Sequence, residues 1–447
     1  MLDIKFIREN ADLVKDAIRK KHVAFDLDTL IVLDDKRKEL LGYVEGMRAE
    51  QNEATDSIAK TKDVGGRESS IAKMRGLKER LQKKEEELAE VMKEWRRAML
   101  QVPNVPDVSV PEGESDADNK EVRRWPAPSG PVVSPSTSFR TGRVEPAEGG
   151  EKPSFSFSAK NHIELMTALD MVDFERGTKV AGFRGYFLKG DGMLLSMAIW
   201  QFVLNELTRK GFTPLLAPSL VRKEIFFGTG YLPQGEEDLY KTQDDTYLAG
   251  TAEVPSMGYF MDEVIPREEL PQKFIAFSPC FRREAGSHGK DTKGLMRVHE
   301  FFKLEQVVLC EANHEESVKY HEEITANVEE ILQALELPYR VVLNAGGDLG
   351  LGQVKKYDIE SWVPSEKTFR ETHSASYFHD FQTRRLNIRY KNESGKLVFA
   401  HSLNNTAIAT PRILISLVEN HQNEDGSITI PKVLVPYMGG RTSISKK

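Results

Sequence analysis

Cysteine is nearly absent from this chain: Cys280 and Cys310 are the only two among 447 residues. One chain can therefore build neither a disulfide framework nor a four-cysteine zinc site, and both thiols are expected to be reduced. Long apolar runs are missing too. No stretch approaches the roughly 18 residues of a membrane span. The start, MLDIKFIREN, interrupts its apolar residues with charge where a secretory leader has an unbroken core, and Asp3 and Glu9 fall where import peptides are poor in acid. A soluble, cytoplasmic protein without a membrane partner is expected. Nor is there an excess of positive charge: 62 Lys and Arg stand against 69 Asp and Glu, a net charge of −7. That excludes indiscriminate coating of nucleic acid but leaves room for a local basic surface.

What is present is enough apolar material, 39% of residues, for one large core and a satellite domain. Residues 3–20 read as a short amphipathic helix with Phe6, Ile7, Leu13, Val14, Ala17 and Ile18 on one face. From Leu30 the pattern becomes strict: positions 30, 33, 37, 40, 44, 47, 51, 54 and 58 alternate steps of three and four, and all but Arg37 and Gln51 are apolar. A second seam, Ile71, Met74, Leu81, Leu88, Met92, Trp95 and Met99 with Lys78 and Glu85 at its polar positions, follows a turn predicted at Gly65 and Gly66. Two such helices joined by a short turn must pair antiparallel, giving a coiled-coil arm over about 29–100, roughly 45 Å long. The arm holds 16 Lys and Arg against 15 acids over 30–97, and its second half is the more basic, 12 against 8 over 60–97. Charge alone favours a structural or dimerising coiled coil over an RNA-binding one.

The predicted organisation is an N-terminal helical domain over 1–105, a connector over 106–158 and a catalytic domain over 159–447. Six of the 21 prolines fall within 125–158, marking a linker or insertion without regular structure. Beyond it, helical stretches near 193–210, 313–335 and 407–421 alternate with strand-like runs such as FIAFSPCF, EQVVLC, YRVVLN, YDIESWV, RRLNIRY and KLVFAHSL. Short turns between several of them suit antiparallel pairing, so an α+β domain around an antiparallel sheet is predicted.

Cys280–Glu305, CFRREAGSHGKDTKGLMRVHEFFKLE, reads as a hairpin whose strands carry cations and carboxylates and whose tip is too polar and glycine-rich to be core. Such a surface suits a polyanion. In wording, Phe281-Arg282-x-Glu284 followed by Arg297-Val298-His299, Phe301 and Glu305 resembles motif 2 of the class II aminoacyl-tRNA synthetases, and among them the seryl-tRNA synthetases. Gly211–Pro218 resembles motif 1, Thr251-Ala252-Glu253 the TxE loop, Glu371–Ser374 with DFQTRR at 380–385 the seryl signature, and Asn404–Arg412 motif 3. The arm resembles that family's N-terminal one, and the proline-rich insertion departs from the bacterial pattern.

The resemblance implies a serine–tRNA ligase that activates L-serine with ATP and transfers the seryl group to the 3′ end of tRNA(Ser), with tRNA(Sec) left open, working as a homodimer through motif 1 around Pro218. It implies that Arg282, Glu371 and Arg412 carry the catalysis. Serine would be held by Thr251, Ala252, Glu253, Arg282, Glu305 and Thr406. ATP would be held by Arg282, Arg283, Glu284, Val298, Phe301, Glu371, Thr372, His373, Ser374 and Arg412, with Glu284 on the adenine amino group and Phe301 and Arg412 on either face of the base. Glu371 and Ser374 are the implied ligands of Mg²⁺, a cation that prefers oxygen. Thr372 and His373 depart from the family, which has Ser at the third position of that cluster. A zinc reading of His373 with His379 lacks a cysteine or third histidine at ligand spacing. The rivals are an adenylate-forming paralogue, which should lack the arm, and a non-catalytic tRNA-binding relative, which should have lost the arginines and glutamates of motifs 2 and 3.

Overall fold

The computed structural model describes residues 1–60, 64–126, 155–286, 289 and 291–446, with side chains described outside 57–72. Most of the proline-rich insertion, 127–154, lies outside the described residues, as do Ser287, His288 and Lys290 of the hairpin tip. The chain divides into two compact units, Met1–Pro103 and Asn104–Lys447.

The first unit is helical: α1 (Ile4–Glu9), α2 (Ala11–Lys20), α3 (Leu27–Lys60) and α4 (Val64–Met99). The single helix predicted over 3–20 breaks at Asn10, whose side chain donates to the carbonyl of Phe6 (3.0 Å) in competition with the backbone ladder. Only Ile7, Val14 and Ala17 of the predicted face are buried, while Phe6 and Leu13 stay exposed. The α3 seam holds, with Leu30, Leu40 and Val44 buried. Its polar member Arg37 pairs with buried Asp34 and lays its guanidinium 4.7 Å over the ring of Trp95. Across the arm Arg37 meets Trp95 and Arg48 meets Glu85, so the helices run antiparallel. On α4 the seam needs correction. Leu77 and Val91 are buried where Lys78 and Met92 were expected, because the apolar stripe advances through 74, 77, 81, 88, 91 and 95, with half-buried Lys84 at its polar position. Gly65 and Gly66 fall in the first turn of α4 rather than in a turn before it.

The second unit is built on an eight-stranded sheet: β1 (Lys120–Trp125), β2 (Thr213–Leu216), β3 (Gln272–Phe281), β4 (Glu300–Cys310), β5 (Tyr339–Leu343), β6 (Lys355–Val363), β7 (Thr368–His379) and β8 (His401–Thr410). Their order is β1-β5-β6-β7-β8-β4-β3-β2, antiparallel except for the β2–β3 pair. Residues 104–126, largely assigned to a connector by sequence, belong to this unit. Asn104 bonds the carbonyls of Gly352 (3.0 Å) and Phe378 (2.8 Å), and β1 pairs with β5 as an edge strand whose Glu121, Arg123 and Arg124 suit an edge. The helices that matter are α5 (His162–Ala168), α6 (Asp191–Arg209), α7 (His314–Ala334) and α8 (Arg412–Asn420). Residues 407–410 extend β8 instead of opening the last helix, and RRLNIRY divides into a helix end, a left-handed Asn387 and the short strand Arg389–Lys391.

Alternation along the strands separates two faces. On one, Gln306 and Asn405 donate to the carbonyl of Ile324 in α7 (3.0 and 2.7 Å). The other face carries Phe301, Lys303, Glu305 and Thr406 into a cleft.

Candidate active site

The cleft has a closed end and an open one. At the closed end the two-residue period of β4 sets Phe301, Lys303 and Glu305 in a row. Lys303 Nζ lies 2.5 Å from Glu305 Oε2, and the Thr406 hydroxyl sits 3.4 Å from each partner. A second carboxylate, Glu253, lies buried at the start of a short helix, accepting hydrogen bonds from Tyr231 OH (2.8 Å) and Gln382 Nε2 (2.7 Å). Burial pushes both carboxyls above the ordinary range. The charge of Glu305 adds to this at Glu253, while Lys303 and Arg282 oppose it at Glu305. Two buried acids facing one lysine leave the end short of one positive charge, which a ligand's ammonium group would supply.

Two cavities make the rest. The inner one, about 70 Å³, is lined by Arg282, Glu284, Val298, Phe301, Lys303, Glu371, Thr372, His373, Thr406 and Arg412, among others. It meets an outer chamber of about 790 Å³ across Arg282, Glu284, Met296, Glu371 and Arg412. Arg282 donates from Nε to the carbonyl of Gly250 (3.2 Å) and covers the Phe301 ring at 5.3 Å. Arg412 donates from Nε to the carbonyl of Met296 (3.1 Å) and from Nη1 to that of Glu371 (3.1 Å), with the Glu371 carboxylate 4.0 Å away. Burial lowers the pKa of Arg412, against the pull of Glu371 and with that of Arg282 and Arg297. Because neutral carbonyls orient both guanidiniums, and the Glu371 carboxylate comes no nearer to Arg412 than 4.0 Å, most of their charge is left for an anion.

The Glu371–Ser374 segment explains its own wording. Register slips between Ile359 and Glu360, so Ile359 faces His373 and Glu360 faces Glu371, and Thr372 is the extra residue of a β-bulge. The Thr372 hydroxyl is tied to Ser361 (2.9 Å) and to the Ile359 carbonyl (3.2 Å). His373 is buried, with Nδ1 2.8 Å from that hydroxyl and Nε2 without a partner among the described residues; burial pushes its pKa down to about 3, so the ring is neutral. Ser374 lines neither cavity and bonds Asp358, whose pKa burial pushes up to about 6 against the attraction of Lys356, 3.2 Å away.

Some predicted residues stand apart. The Thr251 hydroxyl accepts from the backbone N–H of Glu253 (3.2 Å), and Ala252 packs with Ala217 and Ala276. Arg283 lines a separate groove with Phe183, Arg184 and His299, its N–H bonded to the carbonyl of Asp238 (2.9 Å). His379 lies beside His314 (3.2 Å between ring nitrogens) and lines neither cavity. Among the described residues no group of three or more His, Cys, Asp or Glu has metal-ligand spacing. Sequence reasoning assigned no role to Lys303, to Gln382 or to Arg297, which pairs with Glu284 (3.2 Å) and Asp291 (3.0 Å). The signal for Lys303 was its parity with Phe301 and Glu305; Gln382 and Arg297 already stand in the motif wording, and folding supplies their partners Glu253 and Glu284.

Residues 238–421 match the family model of the tRNA synthetase class II core domain (G, H, P, S and T), and residues 1–106 match that of the seryl-tRNA synthetase N-terminal domain. The serine–tRNA ligase of Deinococcus radiodurans is 46% identical, covering 99% of this chain and 98% of its own. That of Brucella abortus is 42% identical over the whole of both. Among solved structures, the seryl-tRNA synthetase of Pyrococcus horikoshii complexed with ATP superposes with a TM-score of 0.86 at 36% identity, covering all of both chains. A cytoplasmic serine–tRNA ligase of Naegleria fowleri in complex with AMP gives 0.82 at 32%, covering all of this chain and 99% of its own.

Proposed function

The chain belongs to the seryl-tRNA synthetases, and from that premise we propose which of its residues perform the ligase reaction. It is an ATP-dependent serine–tRNA ligase of class II. Serine enters the closed end, its ammonium group balancing Glu253 and Glu305 and its hydroxyl meeting Thr406. ATP lies along the open end, with Phe301 and Val298 at the base, Glu284 at its amino group, and Arg282 and Arg412 at the phosphates. The observation that carries this reading is the joining of a buried, acid-rich end to an arginine-walled chamber through Arg282.

A serine carboxylate oxygen attacks the α-phosphorus, the bond to the β-phosphate oxygen breaks and pyrophosphate leaves. A ribose hydroxyl at the tRNA 3′ end then attacks the carbonyl of the adenylate, displacing AMP. The two anions of the first step approach only if cations offset the charge growing on phosphorus; Arg282 faces both and Arg412 the phosphates. Adenine stacking on Phe301 requires the face now covered by Arg282 to open, or the opposite face to be used. The half-exposed Glu371 carboxylate, at the junction of the two cavities, fits Mg²⁺ held jointly with phosphate, whereas Ser374, bonded to Asp358 and lining neither cavity, is not placed to join it. When bound, Mg²⁺ would add positive charge at the phosphates.

The arm is read as the grip on tRNA(Ser). A second copy of this chain is read as covering the apolar surface of α6 and β2, where Met193, Leu194, Met197 and Leu216 are 42, 50, 47 and 81% exposed beside Pro218. A cytoplasmic site of action fits a chain in which no described helix is long and apolar enough to cross a membrane. Serine-dependent exchange of pyrophosphate into ATP should be measurable with the purified protein, and its absence across all twenty amino acids would overturn the reading. Removing residues 30–100 should leave exchange largely intact and abolish tRNA charging; equal loss of both would remove the arm from tRNA binding.

A further inference from the structure

Helix α8 holds the walls of the cleft at two heights. Arg412, at its first position, ties the carbonyl of Met296 on the returning limb of the β3–β4 loop and the carbonyl of Glu371 on the β6–β7 hairpin. Glu419 lies seven residues on, two turns along the same side of the helix, and is fully buried. One of its oxygens accepts from the backbone N–H of Ser365, in the turn of that same β6–β7 hairpin (3.0 Å). The other accepts from the backbone N–H of His162 (2.8 Å) and lies 3.2 Å from His162 Nδ1. His162 completes the circuit, because its Nε2 accepts from the backbone N–H of Leu295, next to Met296 (3.2 Å).

These partners fix the tautomer. Nε2 accepts from a backbone N–H and so carries a lone pair, which places the proton on Nδ1, directed at Glu419. The surroundings are built around the ring. Asn161 and Glu164 form a capping box that sets His162 at the start of α5, and Gln422 holds the carbonyl and N–H of Lys160 (3.0 and 2.8 Å). Gly294, at φ +80°, passes so close that a Cβ there would stand 2.4 Å from His162 Nε2. An alanine would therefore meet both strain and collision.

We propose that His162 and Glu419 are positioning residues that set the spacing of the Leu295–Met296 limb from Arg412, and hence the ATP wall of the cleft, without touching serine. This rests on the reading of the cleft as the ATP site. Met296 lines both the inner cavity and the outer chamber, whereas Lys303 lines only the inner one and Glu305 neither, so loosening the limb should weaken ATP selectively. The test is steady-state pyrophosphate exchange with the full-length protein, together with calorimetric titration of ATP. His162→Phe should raise the KM for ATP about tenfold, the loss of a buried hydrogen bond, and leave the KM for serine within about twofold. His162→Gln, which offers an acceptor and a donor, should recover most of the loss, and Gly294→Ala should reproduce the defect with His162 in place. Equal effects on both KM values, or a Gln variant no better than Phe, would overturn the proposal. Should the Phe variant fail to fold, Gly294→Ala with an unchanged KM for ATP would overturn it alone. Wild-type protein that binds no ATP would instead remove the reading of the cleft on which the proposal stands.

Discussion

The two ends of the cleft solve opposite problems with the same kinds of group. At the closed end Lys303, Glu305, Glu253 and Thr406 face one another, buried, with two carboxyls to one lysine, so a ligand must complete the set. At the open end Arg282 and Arg412 are oriented by backbone carbonyls, which fix direction without neutralising charge. Selectivity is therefore expected from the first end and charge stabilisation from the second. A buried polar end penalises a ligand that leaves it unpaired, whereas an open arginine wall accepts whatever anion fits.

Arg282 is where the two ends meet, and its loss should be the most damaging. Arg282→Ala is expected to lower kcat/KM for exchange by about 10²–10³ or more, the scale for removing a preorganised donor, and to do so with respect to both substrates. A loss confined to ATP would return Arg282 to the open end alone. Activity near wild type would remove it from the reaction.

That meeting point was legible in the sequence, and so was the fold class. Motif wording identified Arg282, Glu284, Phe301, Glu371 and Arg412, and the cleft gathers all five. Strand-like runs separated by short turns predicted antiparallel pairing, and the hairpin of β3 and β4 is one such pair. What stayed hidden was three-dimensional parity: Lys303 joins the closed end because β4 turns it to the same face as Glu305, and Gln382 reaches Glu253 across 129 residues of chain. On α4 the seam was misread because alternate steps of three and four can be entered at either of two neighbouring positions, and Leu77 and Val91 decide it. The Thr372–His373 departure became intelligible only with the bulge, which no periodicity reveals.

Thr406→Val tests the closed end by itself. It removes a hydroxyl shared by Lys303 and Glu305 while keeping volume, and should lower kcat/KM for serine about 10- to 100-fold with the KM for ATP unchanged, the range for one lost buried hydrogen bond. Discrimination against alanine should narrow in parallel. If serine and ATP suffer alike, the closed end does not act separately.

Acid should distinguish the ends next. Burial raises both Glu253 and Glu305 above the ordinary carboxylate range, so they take up protons at a higher pH than exposed acids do. As pH falls through those raised values the closed end loses the negative charge that holds an ammonium, and the KM for serine should rise, by up to about tenfold per pH unit. The arginines stay charged throughout, so the KM for ATP should change less. An ATP dependence as steep as that for serine would erase the distinction.

The smallest effect is expected at His373, which lines the inner cavity yet carries no charge. Its pKa, pushed down to about 3 by burial, keeps the ring neutral at every pH where the enzyme would be assayed. His373→Ser restores the hydroxyl usual at this position in the family and removes an imidazole whose Nε2 has no partner among the described residues. The KM for ATP should shift only a few-fold, since a neutral hydrogen bond to a ligand contributes about 1 kcal/mol. The acid limb of the pH profile should stay where Glu253 and Glu305 put it. Were that limb to move in the Ser variant, His373 would be titrating in the working range, and the open end would share the acid sensitivity assigned here to the closed one.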